Sequence, residues 1–189
     1  MTGEEFRNYW SRVRARTEAV LACVPNDRID WSPGSGAMTF GDVIRHLALT
    51  ERWLFVEVAC GRRSCYESHD GRWGTTLDEV RALMTRLHAE SQALLTALSK
   101  VDLERPVVTP GDATMAAWKW LRAMCEHEAH HRGQLYLMLR LCGIETPPIF
   151  GMTSEAVGSQ ATHGARLSPR ARRGSSLQLD RLRARAVGG

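Results

Sequence analysis

The chemistry of this chain is concentrated in one stretch, Glu126-His127-Glu128-Ala129-His130-His131-Arg132-Gly133-Gln134. At roughly 100° per residue on a helix, Ala117, Leu121, Met124, Leu135, Met138 and Cys142 define one stripe. His131 falls near its centre, and His127 lies on its flank one turn earlier. Glu128 also falls on the stripe, while His130 points away. Two imidazoles and a carboxylate therefore face an otherwise apolar surface. A buried polar side chain without a partner costs about 1–3 kcal/mol, so three together need a common solution. A metal ion bound by the i, i+4 His pair is the simplest. A single histidine on such a face is more often a hydrogen-bonded core residue than a ligand. The pair with its adjacent carboxylate is what points to a metal.

A third ligand has to come from another helix, and the candidates are His46, His69, His88 and His163. His163 is in the C-terminal stretch and His69 in a Gly-rich loop. His88 follows Leu87 at the edge of an apolar face. His46 sits in Val43-Ile44-Arg45-His46-Leu47, roughly 120° from the centre of its helix's stripe, on a second face with Thr50, Trp53 and Glu57. A bundle helix contacts two neighbours, so that second face can also be internal. Periodicity leaves both His46 and His88 open.

Four segments carry the spacing that would position these residues. The first covers about residues 3–23, with Thr2 and Glu5 as a capping box. The second covers about 40–60, opened by Thr39 and Asp42 and closed by Gly61. The third covers about 77–99 behind Thr76 and Glu79, and the fourth about 113–142, opened by Asp112 and closed by Gly143. No strand-like alternation competes with them. The expected fold is all-α, a four-helix bundle with a long crossover (61–75) between helices two and three, which need not be antiparallel neighbours. Residues 1–156 form the expected domain, and 157–189 a basic, disordered tail.

The net charge of +4 divides unevenly. Residues 157–189 hold seven Arg and one Asp, leaving the first 156 residues with 18 basic and 20 acidic side chains. The body is thus mildly acidic, which argues against a nucleic-acid-binding domain. No apolar run approaches the roughly 20 residues of a membrane span. The N-terminus lacks the pattern of a secretory signal. Five cysteines without framework spacing suit a reducing cytoplasm. Cys125 and Cys142 read as small core residues.

Two segments resemble the DinB-like superfamily of four-helix bundles, many of them read as metalloenzymes. One runs from Trp31-Ser32-Pro33 through Met38-Thr39-Phe40-Gly41-Asp42-Val43-Ile44-Arg45-His46-Leu47 to Trp53. The other is His127-x-x-x-His131-Arg132-Gly133-Gln134-Leu135, followed by Leu139-Arg140 and Gly143. The likeness covers about residues 5–156. It implies a His₃ site for a divalent metal, usually Zn²⁺ or Ni²⁺, with positions open to water or substrate, and frequent homodimers. By position the ligands are His46, His127 and His131. Several members are transferases or isomerases that use bacillithiol, mycothiol or glutathione, so the resemblance also implies a low-molecular-weight thiol and a small electrophile as substrates.

Glu128, between the ligands on the inward stripe, is the expected base or ligand-orienting group. Trp31, Trp53 and Trp118 are candidates for a pocket wall. Two other functions compete. One is a non-catalytic metal-binding or stress-response bundle. The other takes His127-Glu128-Ala129-His130-His131 as the H-E-x-x-H of a zinc peptidase; Gln134 and Leu137 stand where the extended motif wants Gly and His, and no strand-like pattern precedes the helix to align a peptide.

Overall fold

The computed structural model describes residues 1–152 and 156–159. Its main unit, Met1–Ile149, is built on α1 (Gly3–Leu21), α2 (Phe40–Thr50), α3 (Glu57–Ala59), α4 (Leu77–Thr96), α5 (Lys100–Glu104) and α6 (Ala117–Leu141). A π-helical turn, Glu51–Val56, joins α2 to α3, so the second bundle helix is one continuous rod. A second unit begins at Phe150, and its described part ends in a helical turn over 156–159. Most of the expected tail, 160–189, lies outside the described residues.

The helix starts follow local chemistry. Thr2, Thr39 and Thr76 each accept from the backbone N–H three residues on, and Glu5, Asp42 and Glu79 answer with their carboxylates. Two expected ends shift. The third bundle helix stops at Thr96, because Ser99 caps a separate short helix, α5. The fourth begins at Ala117 rather than 113. Residues before it form an antiparallel hairpin, β1 (Pro106–Val108) with β2 (Thr114–Ala116), in the register Pro106↔Ala116. Pro106 cannot continue α5, and Asp112 takes a positive φ of 59° in the turn. Three-residue strands are too short to show alternation, which is why none was expected.

Contacts fix the directions. Glu51 meets His88 and Arg52 meets Glu90, and the first turns of α2 and α4 share one apolar cluster, so these two helices are parallel neighbours. α1 runs antiparallel to α4: Gly3 N–H donates to the Leu98 carbonyl and Arg81 to that of Leu21. α6 runs parallel to α1, with Arg14 beside Glu128 and Phe6 in one cluster with Leu121. The crossover between α3 and α4 makes the parallel α2–α4 pair possible.

Among the described residues the core has two large apolar clusters and a small third one, Val58, Val107 and Ala117, under the hairpin. One large cluster contains Val20, Phe40, Ile44, Leu47, Leu77, Leu87, Leu135 and Met138; the other contains Phe6, Trp10, Phe55, Val56, Leu95, Leu121 and Met124. On every bundle helix polar residues separate these two along the chain: Arg14 and Thr17 on α1, Thr50 and Glu51 on the α2 rod with His46 a turn earlier, His88 and Ser91 on α4, and His127, Glu128 and His131 on α6. A polar layer thus crosses the middle of the bundle.

Candidate metal centre

Helix two owes its position to contacts on nearly all its sides. Val43, Ile44, Leu47 and Ala48 are buried, and so are Arg45, Leu49 and Thr50 on the other faces. A residue well away from the main stripe, such as His46, therefore still points into protein. His127 and His131 lie one turn apart on α6, and the three residues offer ligand nitrogens that all lie within 4.8 Å of one another. The His46 and His127 Nε2 atoms are 2.9 Å apart. The ring of His131 is centred 4.7 Å from that of His46 and 4.5 Å from that of His127.

This donor set suits a divalent cation. Two nitrogens bound to one tetrahedral zinc at about 2.0–2.1 Å stand roughly 3.3 Å apart, so the His46–His127 pair, at 2.9 Å, needs an opening of only a few tenths of an ångström. Burial, and then repulsion from His127, His131 and His69, lower the His46 pKa from 6.5 to about 3. Burial and the neighbouring His131 and His130 lower that of His127 to about 4. His131 is shifted down too, chiefly by burial, against a raising contribution from Gln134. All three are neutral near pH 7, the form that ligates metal.

Each of the three imidazoles has a neighbour outside the cluster. The Gln134 side-chain carbonyl lies 2.9 Å from His131 Nδ1. An amide oxygen only accepts, so Nδ1 carries the proton and Nε2 presents its lone pair. Tyr66 Oη lies 3.1 Å from His46 Nδ1, and Phe55 packs against the His127 ring at 5.3 Å. His69, one of the candidates in the sequence, reaches the rim: its ring is centred 5.1 Å from that of His46, and its Nδ1 is 2.7 Å from Tyr66 Oη. His88, the rival to His46, instead takes Glu51 at 2.9 Å and Gln92 at 3.0 Å.

Glu128 lies elsewhere in the polar layer. It is 1 % exposed, and its Oε2 is 3.2 Å from the Arg14 guanidinium, which also binds Glu51. Burial pushes the Glu128 carboxyl up, with Arg14 opposing. Burial also works on Glu51, but there Arg14 and His88 prevail and hold it down. The inward direction of Glu128 was legible on the helical wheel; which neighbouring helix it would meet was not. Of the candidate wall residues, Trp31 and Trp53 pack against the cluster that holds Phe40, and Trp118 against the one that holds Phe55. Tyr66, His69 and Gln134 were not anticipated as partners. Gln134 has the i, i+3 spacing from His131 that could have given it away.

A sequence model of the DinB superfamily matches residues 9–135. Two solved structures are similar in fold. A DinB-like protein from Bacillus subtilis has 23% identity and a TM-score of 0.62, over 76% of this chain and 95% of that one. A DinB-like protein from Bacillus cereus ATCC 10987 has 18% identity and a TM-score of 0.62, over 75% and 93%. No curated protein matches the chain.

Proposed function

The chain belongs to the DinB superfamily, and from that premise we propose that it is a metal-dependent enzyme whose divalent ion, Zn²⁺ or Ni²⁺, is held by His46, His127 and His131. The observation that supports this reading is the convergence of three neutral imidazoles from α2 and α6 on one point. Three neutral ligands would leave the ion its full charge, with which it acidifies a bound water or thiol. The reaction we propose is transfer of a low-molecular-weight thiol (bacillithiol, mycothiol or glutathione) to a small electrophile.

The chain's own groups have distinct tasks. Gln134 holds the His131 ring in its Nδ1–H form. Phe55 packs against the His127 ring, and the apolar clusters lie on either side of the polar layer, while His46 and His127 stay partly open to solvent. Low imidazole pKa values keep protons off the ligating nitrogens down to mildly acidic pH. Glu128 serves the fold in this reading, as a counter-ion of Arg14. The same placement disfavours a zinc peptidase, whose base must reach a peptide, since Glu128 is buried among core residues.

Elemental analysis of untagged protein tests the proposal. About one equivalent of metal per chain is expected, lost in His127→Ala and His131→Ala. Metal retained by both variants would place the site elsewhere. A thiol-consumption screen with the three thiols and a panel of electrophiles then separates the enzyme from a metal-binding bundle without turnover. No helix among the described residues is long and apolar enough to cross a membrane. We extend the proposal to a homodimer, on the family resemblance, and to the cytoplasm, on the five cysteines without framework spacing; light scattering at twice the chain mass is the expected result.

A further inference from the structure

We propose that the crossover segment between α3 and α4 is a working part of the metal centre, with Tyr66 as a positioning residue that fixes the Nδ1–H form of His46 and His69 as the group that fixes Tyr66. The inference rests on the three-histidine reading above and deepens it.

The segment is fastened to the site. Arg45, adjacent to His46 and 5 % exposed, donates from Nε to the His69 carbonyl at 2.8 Å and from a terminal nitrogen to the Gly74 carbonyl at 2.7 Å. Asp42 holds its other terminal nitrogen at 2.8 Å. Gly41 makes room for this reach: a Cβ there would meet Ile29 Cγ1 at 2.8 Å and the Arg45 guanidinium at 3.0 Å. One buried guanidinium thereby ties both ends of the 69–74 stretch to the ligand-bearing helix.

Tyr66 Oη then stands between two imidazoles, 3.1 Å from His46 Nδ1 and 2.7 Å from His69 Nδ1. A neutral imidazole has one N–H and one lone pair, and a phenol has one O–H. For His46 Nε2 to give its lone pair to a cation, Nδ1 must carry the proton and donate to Tyr66. In the arrangement we propose, Tyr66 gives its own proton to His69 Nδ1, with the His69 proton on Nε2. In that arrangement every link has one direction. If Tyr66 donated to His46 instead, the His46 proton would move to Nε2 and point at His127, where the cation belongs. By taking the phenol proton, His69 removes that alternative. The two residues act in series on one ligand nitrogen.

The test is Zn²⁺ affinity of metal-free protein, measured by competition with a chromophoric chelator, in wild type, Tyr66→Phe, His69→Ala and the double variant. Outer hydrogen-bond partners of ligating histidines are worth about 10–100-fold in affinity. Tyr66→Phe should lose that much and His69→Ala less. The double variant should bind no more weakly than Tyr66→Phe, because a serial chain broken once cannot be broken again. Imidazole ¹⁵N NMR of the zinc-loaded protein gives a second readout. A His46 Nδ1–H protected from solvent exchange is expected in wild type and lost in either single variant, so His69→Ala carries the test even if Tyr66→Phe does not fold. Tyr66→Phe within threefold of wild type, additive losses in the double variant, or an unchanged NMR signature would overturn the inference. Wild-type protein that takes up no zinc, or a His127→Ala variant that still does, would instead sink the three-histidine reading itself.

Discussion

Arg14 and Glu128 meet at 3.2 Å in the middle of the bundle, each with a side chain 2 % exposed. Glu51 binds the same guanidinium, and His88 holds Glu51 from α4. One cation thus joins carboxylates from two other helices, and every bundle helix supplies a member. Removing the shared partner of a buried ion group leaves uncompensated charge and costs about 3–5 kcal/mol. Arg14→Met should lower the urea-unfolding free energy by that amount. Glu128→Gln, which keeps the shape and a hydrogen-bonding oxygen, should cost about 1–3 kcal/mol and leave zinc affinity within a few-fold of wild type. A large loss of metal in Glu128→Gln would restore the carboxylate to the metal centre.

The histidines give metal-free protein a defined acid sensitivity. Their folded pKa values, about 3 for His46 and about 4 for His127, lie below the ordinary 6.5 that the unfolded chain recovers. Between those limits the unfolded state binds more protons, so stability rises with pH through that window. The contribution is complete above about pH 6.5 and lost as pH falls toward the folded values. Urea midpoints measured from pH 7 down to 4 should fall more steeply in wild type than in His127→Ala, which removes one of the groups. Equal slopes would show that the carboxylates alone govern acid unfolding.

Gly41→Ala tests the fastening of the crossover. Overpacking costs about 1–3 kcal/mol, against about 1 kcal/mol of helix propensity gained by Ala. The expected outcome is a lower melting midpoint with faster proteolytic cleavage inside residues 61–75. A midpoint equal to wild type, with cleavage unchanged, would mean that Arg45 and Ile29 move aside freely.

Thiol reactivity should separate the cysteines. Burial, with Glu128 and Glu126 nearby, pushes the Cys125 thiol up to about 12, whereas Cys65 is exposed. Iodoacetamide at pH 8 should label Cys65 first and Cys125 only on unfolding, as peptide mass spectrometry would record.

The sequence announces parts of this architecture whose causes are local. Thr39 with Asp42 marks a helix start because cap and carboxylate are three residues apart, and His127 with His131 share a face because a turn is four residues long. What it conceals depends on neighbours. His46 looked misplaced on its helical wheel, since a helix buried on nearly every side has no single inner stripe. The π turn at Glu51–Val56 adds a phase slip that a regular wheel does not contain. Tyr66 and His69 sit in irregular chain, where no period links residues to a site, and the hairpin at 106–116 is too brief to show one.

The separation of 81 residues between His46 and His127 has a consequence for how the protein matures. A nascent chain that has emerged only as far as the hairpin carries His46, one of the three ligands proposed above, and none of α6. Capture of a metal by the proposed site would therefore come among the last events of folding, after a loop of that length has closed, and would report that the final helix has docked.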